Sequence, residues 1–144
     1  MIERRLKTLI YIYLWGALAE DTVLFVLAWL MPDLWFRLLH GTAAPSGLEV
    51  ALVRRSAGQW AAFALAQAIT LWRFRKDPVW LGVAAGARFS DLLTDLSYLL
   101  AAPSVTGLGR MLLLPPPVLN LVGVVIMLRG YRQASRTVEG RTDD

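Results

Sequence analysis

Glu20 and Asp21 stand side by side within one apolar run of this chain, and Asp91 and Asp95 stand one helical turn apart within another. Arg88 lies a turn before Asp91. A charge at bilayer depth costs roughly 2.5–3.5 kcal/mol on insertion scales, so it persists only where it is paired, hydrated or used. The chemistry open to such a group is narrow. A protonatable carboxyl can serve as a general acid, a proton carrier or a cation-binding group. Four acids against a single intramembrane guanidinium leave an excess of negative charge, which is what each of those roles needs.

Depth and facing bring the five together. At 1.5 Å per residue, Glu20 and Asp21 lie about 21 Å along a first helix, and Arg88, Asp91 and Asp95 lie at about 14, 18 and 24 Å along a third that runs with it. Arg88, Asp91, Asp95 and Tyr98 are spaced by three, four and three, which is one helical face. Gln59, Phe63, Gln67 and Thr70 form a similar stripe, and Asn120 adds an amide from a further helix. Polar faces of this kind point into a bundle and not at lipid. The expected site is therefore an outward-facing polar cavity lined by Glu20, Asp21, Arg88, Asp91, Asp95 and Gln59, with Arg54 and Arg55 at its mouth. The structural alternative is that Arg88 pairs with Asp91 and one acid of the first helix, and that the network only fixes helix register.

Other chemistries find little support. Cysteine is absent, which removes disulfides and thiolate metal sites, and a lone His40 excludes a multi-histidine metal centre. No phosphate loop, nucleophile motif or haem-type histidine pair occurs. No metal and no cofactor are expected. A formal charge of +4 and a pI near 10.0 would suit nucleic acid, but the basic residues flank apolar runs, so a membrane explains them better. Gly82 and Gly86 are spaced for close helix packing.

The elements that must position these residues are helices. The chain of 144 residues is 56% hydrophobic and 18% charged, below the roughly 25% charged of soluble domains. An all-α, polytopic bundle of four transmembrane helices is expected, with spans at about 6–30, 55–72, 79–102 and 111–128. Each is long enough for a hydrocarbon core about 30 Å thick. The basic start followed by a long apolar run reads as an uncleaved first span. Asp33 to His40 is expected as a short outer helix lying in the interface with Asp33 as its cap, and residues 41–47 as a turn. Residues 48–53 extend the second helix outward, and Pro115-Pro116-Pro117 opens the fourth. Residues 1–132 form the membrane domain, and 133–144 a disordered tail. Ten basic residues flank the spans on the side of the termini and four on the other, so both termini belong in the cytoplasm. Trp29, Trp35 and Trp60 fall near the outer interface, Trp72 and Trp80 near the inner one, and Trp15 near the middle.

Two resemblances follow from quoted segments. Arg54-Arg55-Ser56-Ala57-Gly58 opens the second span, Arg73-Phe74-Arg75-Lys76-Asp77-Pro78 follows it, and Arg88 and Asp91 sit in the third. With the long outer loop, this layout resembles the DoxX-like group of small bacterial four-helix membrane proteins, some of which are tied to redox or stress-related membrane complexes; the resemblance implies a fold in a bacterial inner membrane more than an activity. Ile12-Tyr13-Leu14-Trp15-Gly16-Ala17-Leu18-Ala19-Glu20 is similar to the first helix of small multidrug resistance transporters. There the glutamate binds protons and cationic drugs, a role that would fall to Glu20. The long outer loop, the charged third span and the one-sided charge bias depart from that pattern. Three functions remain open: binding a lipophilic or amphipathic ligand or docking to a larger membrane complex, catalysis on a lipid-like substrate, and proton-coupled transport. The partners expected are the lipid bilayer, a lipophilic ligand, and a larger complex or a second copy, but not nucleic acid.

Overall fold

Leu30-Met31-Pro32 marks the first break in the helical register, and the computed structural model, which describes residues 2–102 and 104–139, ends its first helix there. The order is α1 (Arg4–Leu30), α2 (Pro32–His40), α3 (Gly47–Arg73), α4 (Val79–Ala101), α5 (Gly107–Leu113) and α6 (Pro115–Glu139). No strand occurs among the described residues. The long helices pack chiefly in two pairs, α1 on α3 and α4 on α6, and the pairs meet along α3 and α4 and along α1 and α6.

Local sequence accounts for the boundaries. Met31, not Asp33, caps α2: Pro32 takes the first helical position, where its missing N–H costs nothing, and this pushes Asp33 into the first turn. Gly41 closes α2 in the left-handed conformation, φ 70°, with its N–H returning to Arg37. Ser46 and Glu49 form a capping box that starts α3 at Gly47, so residues 48–53 continue into the helix as one rod of 27 residues. The fourth helix is broken in two. Thr106 caps a short α5, a break follows at Leu114, and Pro115 to Pro117 then fill the first turn of α6 without needing donors. At its far end α6 continues through residue 133, where a disordered tail was expected, to Glu139. Residues 140–144 of that tail lie outside the described residues.

Polarity is distributed inside out. The largest side chain with under 2% exposure is Arg88, and Asp21, Gln67, Asp91 and Asn120 are buried with it. Ile12, Trp15, Leu65, Leu93, Leu100 and Val118 lie on the outside. Among the described residues two helices are long and apolar enough to cross a membrane, Arg4–Leu30 and the nearly continuous Gly107–Ser135. The intervening α3 and α4, at 27 and 23 residues, are of similar length but carry glutamines and charges along their middles.

Two apolar clusters hold the ends. Ile10, Leu14, Phe74, Leu81 and Met127 close one, with Tyr11 edge-on to Phe74 at 5.0 Å between centroids. Ala28, Phe36, Val53 and Ala57 close the other, under a Trp35–Trp60 pair at 5.2 Å. The polar groups lie between them.

Candidate functional site

Asp21 is the fixed point of the network. Residues 10, 14, 17, 21 and 28 form the buried stripe of α1, so the helical repeat that buries Ile10 and Leu14 carries Asp21 inward as well. Its Oδ2 accepts from Gln67 Nε2 of α3 at 2.6 Å and pairs with the Arg88 guanidinium of α4. Arg88 also donates through Nη1 to Asn120 Oδ1 of α6 at 3.1 Å and stands 3.5 Å from Asp91 Oδ2. Its guanidinium carbon lies 5.5 Å above the Phe63 ring centre, so an aromatic face covers the cation on one side. One network thus joins α1, α3, α4 and α6. Arg88 pairs with Asp91 and one acid of the first helix, as the register-fixing alternative expects.

Asn120 completes it. Its single amide nitrogen donates to Asp91 Oδ2 at 3.1 Å and to Asp95 Oδ2 at 2.9 Å, which uses both of its hydrogens and draws the two carboxylates toward one point. The guanidinium reaches Asp21 and Asp91 and makes no ion pair with Asp95. Asp21 Oδ1, Gln67 Oε1, Arg88 Nε and Asp91 Oδ1 are buried without a hydrogen-bond partner. Three of those four atoms are acceptors, so the interior lacks donors.

The expected residues therefore separate. Asp21, Arg88 and Asp91 are 0, 1 and 5% exposed and form a closed polar core, whose interstices Gln67 and Asn120 fill. Glu20 and Asp95 are half-buried at its rim. Glu20 makes no hydrogen bond among the described residues, although it is close enough to Arg88 and Asp91 to feel their charges. Gln59 stands apart: its amide meets Ser90 at 3.4 Å on the exposed side of the α3–α4 contact. No group of three or more histidines, cysteines or carboxylates able to hold a metal ion occurs among the described residues.

Sequence reasoning missed Tyr13 and the contact of Trp60 with Asp91. Tyr13 lies beside Arg88, and its hydroxyl rests where a side chain at Gly123 of α6 would stand. Tyr13, Ala17 and Asp21 are four apart, so the stripe that contains Asp21 could have disclosed it. Trp60, expected only as an interface anchor, stands beside Asp91.

A second polar junction involves His40. Its Nδ1 lies 2.5 Å from the Ser104 carbonyl and its Nε2 bonds the Tyr98 hydroxyl. A carbonyl only accepts, so Nδ1 carries the proton, and Nε2 of the neutral ring accepts from Tyr98. Thr106 adds two bonds to the end of α2, from its N–H to Leu39 O at 2.8 Å and from its hydroxyl to Leu38 O at 2.7 Å. These bonds tie α2 to the segment between α4 and α5. At the start of α3, bonds from the Ser46 side chain and backbone hold the Glu49 carboxyl below its usual range.

No protein-family model, curated protein or solved structure matches the chain.

Proposed function

We propose that this chain is a multi-pass protein of a bacterial inner membrane, with α1, α3, α4 and α6 spanning it and both termini in the cytoplasm, and that the rim of its acidic network binds an amphipathic cation or a proton. The inside-out polarity supports four spans: α4 holds Arg88 and Asp91, and α3 holds Gln67 and Thr70, on faces turned to the bundle, while Leu65, Phe89 and Leu93 lie on the outside. The ten-to-four bias of basic residues supports the orientation. The layout shared with the DoxX-like group fits the same arrangement.

One observation carries the binding reading. Asp91 and Asp95 accept from one amide nitrogen, and the guanidinium is shared between Asp21 and Asp91 and makes no ion pair with Asp95. Two carboxylates so placed repel each other unless a cation or a proton joins them. Asp95 and Glu20 are the half-buried acids, so the cation arrives at their side, with apolar surface beside it for a lipophilic body. Extraction in mild detergent followed by native mass spectrometry tests this. A bound mass that is neither detergent nor phospholipid, present in the wild type and lost in Asp95→Asn, is the expected result; a mass retained equally in both contradicts it.

The hydrogen-bond-free carboxyl of Glu20 favours a second use of the same site, proton-coupled transport, by analogy with the glutamate of small multidrug resistance transporters. That reading predicts a proton flux in liposomes that Glu20→Gln abolishes. Unchanged flux removes Glu20 from any transport cycle.

A further inference from the structure

The end of the bundle that carries the N-terminus gathers positive charge from three helices. The amide of Glu3 bonds Gln133 Oε1 of α6 at 3.1 Å, and Phe74, after α3, packs on Tyr11 of α1. These contacts bring Arg4 and Arg5, the turn with Arg73, Arg75 and Lys76, and Arg132 to one surface, all of them exposed. Glu3 and Asp77 are the acids there, and neither forms an ion pair with a cation among the described residues. Trp72, Arg73 and Lys76 line a shallow cavity of about 220 Å³. Trp72 is 78% exposed and its ring lies 5.4 Å from the Arg73 guanidinium carbon.

We infer that this surface holds an anionic phospholipid, its phosphate between Arg73 and Lys76 and its glycerol and upper acyl chains along Trp72. The inference rests on the membrane reading above. Unpaired cations at a helix turn attract a phosphate, and basic pockets between membrane helices on the cytoplasmic side select anionic headgroups. A tryptophan at the same level suits the boundary between headgroup and chain, where an indole ring has one apolar and one wet side. At the opposite end Arg54 donates its Nε to the Trp29 carbonyl at 3.4 Å, and Glu49 stands on the same helix. The cavity between Trp72, Arg73 and Lys76 and the denser positive charge around it favour a headgroup at the end that carries the N-terminus.

The test is lipid retention. The protein is incorporated into nanodiscs of phosphatidylcholine with a minor share of phosphatidylglycerol, released, and weighed by native mass spectrometry. Phosphatidylglycerol is expected on the wild type above its share of the bilayer. Removing both cations in R73Q/K76Q lowers that enrichment roughly tenfold or more, since each basic group near an anionic surface contributes several-fold to binding. The charge-matched R54Q/R55Q leaves it unchanged, and inorganic phosphate at millimolar concentration does not displace the lipid. Equal retention of the two lipids by the wild type, an equal effect of the two double variants, or displacement by free phosphate overturns the inference. Failure of the wild type to enter nanodiscs overturns the membrane reading beneath it, and the two failures are distinct.

Discussion

Replacing Arg88 by methionine removes the one cation of the core and leaves its acids in place. Asp21, at 0% exposure, keeps only Gln67, and Asp91, at 5%, keeps the neutral donors Asn120 and Trp60. Breaking a buried pair by removing one partner costs about 3–5 kcal/mol, because the other charge stays behind uncompensated. Hydrogen bonds between membrane helices average only about 0.6 kcal/mol, because the unfolded chain in a membrane also finds partners. The two magnitudes separate the cases. If Arg88 acts as a charge partner, R88M loses about 3 kcal/mol, roughly a hundredfold in the folding equilibrium. If it acts as one more polar contact, the loss stays below about 1 kcal/mol. The companion variant Asp21→Asn keeps an acceptor for Gln67 without the charge, and D21N/R88M should recover at least half of the loss. Equilibrium unfolding in mixed detergent, followed by tryptophan fluorescence and circular dichroism, supplies the numbers. A loss below 1 kcal/mol in R88M, or a double variant no better than the sum of the singles, refutes the ion pair as the organising contact.

Other outcomes follow from particular contacts. Gly123→Ala places a Cβ on the Tyr13 hydroxyl and ring and should cost about 1–3 kcal/mol as an overpacked contact, whereas Gly86→Ala, with nothing within 4 Å, should be neutral or slightly stabilising; thermal melts of the two compare them directly. Ser46→Ala removes the hydroxyl acceptor of the capping box and leaves the backbone N–H bond to Glu49 in place, and should cost about 1 kcal/mol, read by the same melts. The Glu49 carboxyl is held below its ordinary value by Ser46, so its contribution to the start of α3 is fully present above that ordinary value and is lost as pH falls through the lower, folded one; a loss of Ser46 amide protection in acid, measured against the intrinsic exchange rate at each pH and absent in Glu49→Gln, is the check. Because the chain has no cysteine, single substitutions report topology cleanly: Ala44→Cys should react with an impermeant thiol reagent on intact cells and Arg75→Cys only after permeabilisation, and the reverse pattern inverts the orientation.

The sequence was most legible where one residue type has one physical use. Pro115 to Pro117 could only open a helix, and Pro78 and Gly41 only interrupt one. The three-four-three spacing of Arg88, Asp91, Asp95 and Tyr98 placed the charged face of α4, and the network assembles on it. Pairings across helices were less legible. Nothing in the spacing says that Asp21 rather than Glu20 meets Arg88, because adjacent residues on a helix point about 100° apart and rotation about the axis decides between them. Gln59 and Gln67 differ by eight residues and share a face, yet a slight drift per turn and the α3–α4 crossing send Gln67 to Asp21 and Gln59 to Ser90. Asp33 read as a helix cap, but Pro32 already held the first helical position. Closure of the core depended on Asn120 and Gln67 filling the space between charges, and such filling is a matter of volume, not of pattern.

The central claim is that the acidic rim binds a proton and an amphipathic cation at the same carboxyls. Tetraphenylphosphonium, a lipophilic cation without donors, is a suitable probe, and its affinity for the nanodisc-embedded protein can be measured by titration calorimetry across a range of pH. A shared site predicts that affinity falls as pH is lowered, because protons displace the probe, and that Asp95→Asn weakens binding at least tenfold and flattens the pH dependence. Binding that is independent of pH, or unaltered in Asp95→Asn, would contradict the claim and leave the network as a device that fixes the packing of four helices.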